Sequence, residues 1–93
     1  MKTRVINLKN EPYDVYIGRP SPFGNPFVVG KHGNREHCIK EYRTFFYNRL
    51  RDTADYKEKI LALKGKRLGC YCKPLPCHGD IIVEYLEGPP NGK

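Results

Sequence analysis

Twelve consecutive residues, Gly69 to Asp80, read GCYCKPLPCHGD and hold three of the chain's four cysteines, together with a histidine and an aspartate. Three chemistries fit these residue types. The first is zinc on Cys70, Cys72, Cys77 and His78, spaced C-x-C-x4-C-H. Structural zinc sites usually present two separated ligand pairs with about two to four residues inside each. Here the first pair encloses a single residue and the second none, and adjacent side chains seldom aim at one ion. No cofactor other than zinc is indicated. The second chemistry is nucleophilic, at Cys77. That thiol stands just before a predicted helix, where unpaired amides and the dipole make a thiol more acidic. Such catalysis needs a base in reach. His78 is the sequence neighbour, whereas His32 and His37 approach only through the fold.

The third chemistry is anion binding without covalent change. A strand end, a loop stiffened by Pro74 and Pro76, and a helix amino terminus form a ready site for phosphate or carboxylate. Lys73 would supply charge, Cys72 a wall, His78 a hydrogen bond, and Asp80 a hold on backbone amides or a sugar hydroxyl. The plainer role for Asp80 is a helix cap. Cys38 lies on the apolar stripe of a long helix and reads as a small core residue.

A second unusual loop, RPSPFGNP (19–26), carries three prolines in eight residues and cannot be helical. Gly18 and Gly24 beside it let backbone or ligand approach closely. Arg19 offers a planar, multidentate donor suited to phosphate or carboxylate. Asn25 is either a turn residue or an amide that reads a base or ribose edge.

The elements that must position these loops follow from periodicity. TRVINL (3–8) and YDVYIG (13–18) read as strands, and FVV (27–29) as a brief edge strand. Residues 34–50 form the best helix, capped by Asn34, with Cys38, Tyr42, Phe45 and Phe46 on one stripe. A second helix spans 55–63, with Asp55 and Glu58 as a capping box, and Gly65 ends it. KRLGCYC (66–72) is a strand with Leu68, Cys70 and Cys72 on one side and Arg67, Gly69 and Tyr71 on the other. Asp80 then caps a last helix that Gly88 ends. The order β-β-(β)-α-α-β-α predicts a single small α/β domain over residues 1–88, a short sheet with helix crossovers, loosely Rossmann-like, with 89–93 a frayed tail. Ligands of such sheets gather beyond the carboxyl ends of the strands. Both unusual loops leave predicted strand ends, so they are expected to wall one cleft.

Ninety-three residues with 39% hydrophobic content suit one packed core. Seventeen Lys and Arg against ten Asp and Glu give a net charge of +7, which favours anionic partners. The segment 1–14 holds no signal-peptide-like apolar run, and no window approaches the roughly 20 apolar residues of a membrane span. The expectation is a cytoplasmic protein with no membrane partner and reduced thiols. Nothing in the chain specifies an oligomeric state.

The blocks RVINL, DVYIGRPSPFGNPFVVG and GKRLGCYCKPLPCHGD resemble those of the domain-of-unknown-function 4326 family, small proteins of bacteriophages and their bacterial hosts. The resemblance runs over about residues 3 to 87. It implies a phage- or bacteria-type protein with a nucleotide- or nucleic-acid-related task, and it brings no catalytic residues. A weaker similarity links the strand-loop-helix to another uncharacterised family with an arginine after the Cys-His pair. Gly79 stands there in this chain.

The resulting expectation is a binder of a nucleotide or related anion in a cleft of loops 18–26 and 70–80. Gly18, Arg19, Asn25, Cys72, Lys73 and Asp80 would bind, and Cys77 and His78 would act in any transferase or hydrolase chemistry. A competing expectation is a non-enzymatic module that binds nucleic acid or a host protein. Its basic face would be Arg35, Arg43, Arg49, Arg51, Lys57, Lys59, Lys64, Lys66 and Arg67. A third is a fold stabilised by zinc. The ordinary role of those charges is to solvate helix faces.

Overall fold

The computed structural model describes residues 2–88; the expected tail at 89–93 lies outside them. Strands β1 (Arg4–Asn7), β2 (Val15–Tyr16) and β3 (Arg67–Cys70) form a parallel sheet in the order β1-β3-β2. Helices α1 (Arg35–Asp52) and α2 (Ala54–Leu61) connect β2 to β3, and α3 (Gly79–Glu87) follows β3. No helix among the described residues is long and apolar enough to cross a membrane.

β3 takes the centre because it is apolar and small on both sides. Leu68, Gly69 and Cys70 are all buried. The connection from β1 to β2 lays Tyr13 over Gly69, where a β-carbon would sit 2.8 Å from the ring. Asp14 then locks β2 into register, with its amide on the Arg67 carbonyl at 2.9 Å and its carboxylate on the Arg67 amide at 2.8 Å. Tyr42 and Phe46 of α1 and Tyr56 and Ile60 of α2 meet Ile17, Leu68, Ile81 and Ile82 in one core. Burying side chains of this size contributes about 1.5–3 kcal/mol each.

Helix α1 starts as expected, with Asn34 accepting the His37 amide at 2.8 Å. Three other expectations change. Residues 27–29 are not a strand, because their polar groups are spent locally. Asn25 Oδ1 takes the Phe27 amide at 2.9 Å, His32 Nδ1 takes that of Val28 at 2.8 Å, and the Val28 carbonyl takes that of His32. Helix α2 has Thr53 at its start and no side-chain cap, since α1 runs on to Asp52 and leaves one residue between the helices. Asp55 instead faces Lys59 at 3.6 Å. Finally, α3 begins at Gly79, so Asp80 lies inside its first turn rather than ahead of it.

Candidate functional site

β2 and β3 are parallel neighbours, so the segments leaving their carboxyl ends start side by side. The first passes through Gly18 and the cis Arg19–Pro20 bond, the second through the cis Lys73–Pro74 bond. His78 ties them together, its Nε2 lying 2.8 Å from the Ile17 carbonyl oxygen. Between the loops opens a cleft of about 340 Å³, walled by Gly18, Arg19 and Asn25 on one side and by Cys70, Cys72, Cys77 and His78 on the other. The expected facing of the two loops is therefore the arrangement observed.

Two expected binders point elsewhere. Lys73 Nζ pairs with Asp80 Oδ1 at 2.7 Å, and both line a separate groove with Thr3, Arg4 and Glu87. The second Asp80 oxygen accepts the Cys77 amide at 3.1 Å, so this carboxylate holds the start of the last helix. In exchange the fold brings in residues that were not expected in the cleft, among them Tyr16, Tyr71 and Arg35. Tyr16 and Tyr71 pack edge to face, with centroids 6.4 Å apart, and Tyr71 is exposed. The strand ends at Cys70, and Tyr71, on the Gly69 side by alternation, meets Tyr16, the register partner of Gly69. Arg35, grouped by sequence with the basic helical face, reaches over the cleft to the Pro76 carbonyl at 3.4 Å.

Arg19 is held in the same way, by the Asn25 carbonyl at 2.9 Å. Neither guanidinium has a carboxylate partner among the described residues. Asn25 is above all a turn residue: its Oδ1 accepts the Phe27 amide and its Nδ2 donates to the Cys38 carbonyl. Half of the remaining basic face is paired with carboxylates. Arg43 pairs with Glu84, Arg51 with Asp52, Lys59 with Asp55 and Arg67 with Asp14, while Arg49 lies over the Tyr56 ring at 4.4 Å.

At the cleft floor Cys70 Sγ and Cys77 Sγ are 3.2 Å apart. Two buried thiols this close share one negative charge far more easily than two. The contact with Cys77 holds the Cys70 thiol below the ordinary thiol range. Cys77 is pushed up, because its proton serves Cys70 and because it is buried; the single Gly79 amide at 3.3 Å does not offset this. The acidic thiol is thus Cys70, not Cys77 as helix position alone implied. Burial likewise keeps His78 neutral. A carbonyl only accepts, so Nε2 carries the proton and Nδ1 turns its lone pair toward Cys77 Sγ at 3.5 Å.

Residues 2–88 match the family described as Domain of unknown function (DUF4326). The chain belongs to that family. It is similar to the protein titled "Uncharacterized 12.4 kDa protein in nrdA-td intergenic region" of Enterobacteria phage T4, with 44% identity over 85 residues, covering 90% of this chain and 77% of that protein. No solved structure matches the chain. For this DUF4326 member the assignment of a site therefore rests on the cleft itself.

Proposed function

We propose that the cleft binds a nucleotide or a related phosphate-bearing small molecule. The observation that carries this reading is the pairing of two uncompensated guanidinium groups, Arg19 and Arg35, on a cleft that no Asp or Glu lines. Guanidinium donors match phosphate oxygens two at a time. The exposed Tyr71 ring offers a face for a base. The cleft lies past the carboxyl ends of β2 and β3, where open α/β sheets hold their ligands. Its volume is at the small end of the ~300–1,000 Å³ usual for ligand pockets, which suits a single nucleotide rather than a dinucleotide. In its enzymatic form the reading gives a transferase or hydrolase, with the Cys70–Cys77 pair and His78 at the reacting end.

Thermal-shift and calorimetric titration with nucleoside mono-, di- and triphosphates, nucleosides and oligonucleotides tests it. Phosphorylated ligands should raise Tm and bare nucleosides should not. Arg19→Gln and Arg35→Gln should each weaken binding about 10–100-fold, the worth of a hydrogen bond to a charged group. If no mononucleotide binds, while oligonucleotides do so with a steep salt dependence, the site belongs to nucleic acid on the basic face instead.

A further inference from the structure

We propose that Cys70, Cys72 and Cys77 hold one soft metal ion, zinc(II) by its geometry, through three thiolates, and that the fourth coordination position opens into the cleft. This site stands on the sulfurs alone and does not depend on the anion reading. The three Sγ atoms lie within 4.8 Å of one another, with Cys70 and Cys77 at 3.2 Å. A tetrahedral ion with bonds of about 2.3 Å sets its sulfurs about 3.8 Å apart, so this triangle closes on one ion with sub-ångström to one-ångström shifts. The surroundings are those of a thiolate ligand. The Gly79 amide points at Cys77 Sγ at 3.3 Å. Such bonds to ligating sulfurs orient and tune a metal centre. An all-sulfur set selects soft ions such as zinc over magnesium or calcium.

His78, the fourth ligand that sequence spacing offers, falls outside the set. Its Nε2 is held by the Ile17 carbonyl, and the group of donors within 4.8 Å contains only the three cysteines. Three protein ligands and one free position are the pattern of reactive rather than purely structural zinc. All three cysteines line the cleft, so the free position faces whatever enters it.

The test uses the reduced full-length protein titrated with cobalt(II) and zinc(II). One equivalent of cobalt should produce a thiolate-to-metal charge-transfer band and intense d–d bands, and one equivalent of zinc should abolish them. Cys70→Ser, Cys72→Ser and Cys77→Ser should each lower affinity on the order of a hundredfold or more. Cys38→Ser and His78→Gln should not. Cys72 is half-buried, so its variant disturbs packing least. In the unmodified protein, zinc should also slow alkylation of Cys72 by iodoacetamide, followed by mass spectrometry. Azide should alter the cobalt d–d bands by entering the free position. The site is overturned if no charge-transfer band appears or if Cys72→Ser binds as tightly as the parent. The open position is overturned if azide leaves the spectrum unchanged, or if His78→Gln loses the metal as the cysteine variants do.

Discussion

His78 Nε2 donates to the Ile17 carbonyl at 2.8 Å, so the histidine of one cleft wall closes the strand end that begins the other. The ring also packs edge to face on Tyr42, with centroids 5.1 Å apart. His78→Ala would leave that carbonyl unpaired and a void beside Tyr42, at a cost of about 2–3 kcal/mol in urea denaturation. His78→Gln keeps a donor and should recover most of the loss. An alanine variant within about 0.5 kcal/mol of the parent would mean that the bridge does not hold the cleft.

Gly79 is required by packing. A β-carbon there would lie 2.6 Å from Ile17 Cδ1 and 2.8 Å from Val5 Cγ2, both anchored between helix and sheet. Gly79→Ala should cost about 1–3 kcal/mol through overpacking. Gly79→Arg should not yield folded protein. Its soluble expression with a native circular dichroism spectrum would show that α3 can move off the sheet.

Thr3 is buried and joins three segments. Its hydroxyl donates to Glu87 at 2.8 Å and accepts the Gly65 amide, and its own amide donates to Glu87 at 3.0 Å. Thr3→Val keeps the shape and removes both hydroxyl bonds. Leaving the half-buried Gly65 amide unpaired should lower stability by about 1 kcal/mol, and Thr3→Ser should lower it less. Equal stabilities for the two variants would count against the hydroxyl as the joint.

Asp14 sets an acid-side dependence. The Arg67 side chain and amide hold its carboxyl down at about 2, below its ordinary 3.8. A carboxyl depressed in the folded state stabilises fully above its unfolded pKa, and that contribution is lost as pH falls through the folded value. The stability difference between the parent and Asp14→Asn should therefore be flat above pH about 4 and shrink between about 4 and 2. Glu84 and Glu87, lowered by Arg43 and by Thr3 respectively, act in the same direction. A difference that is constant across this window in urea melts would remove Asp14 from the account.

The sequence by itself determined the local elements and the two places where the chain must break. The strand pattern of residues 3–8, the alternation of 13–18, the 3–4 spacing from Cys38 to Phe46, and the prolines of 19–26 and 74–76 each act over a few residues; the helix and loops fall where these put them, and the strands are shorter, Arg4–Asn7 and Val15–Tyr16. It also placed both loops at strand ends, which sufficed to anticipate one cleft.

Tertiary structure alone decided how that cleft is furnished. The order β1-β3-β2 depends on which strand can be buried on both faces, a property of Gly69 under Tyr13 that no local pattern carries. Lys73 and Asp80 find each other across the turn and leave the cleft, while Arg35 enters it from a helix start and Tyr71 by packing on Tyr16 of the neighbouring strand. The proton shared by Cys70 and Cys77 follows from a 3.2 Å approach of sulfurs seven residues apart. Side-chain periodicity is a local property of the backbone. Ion pairing, thiol acidity and cleft membership are set by distances between segments, and only the folded chain fixes those.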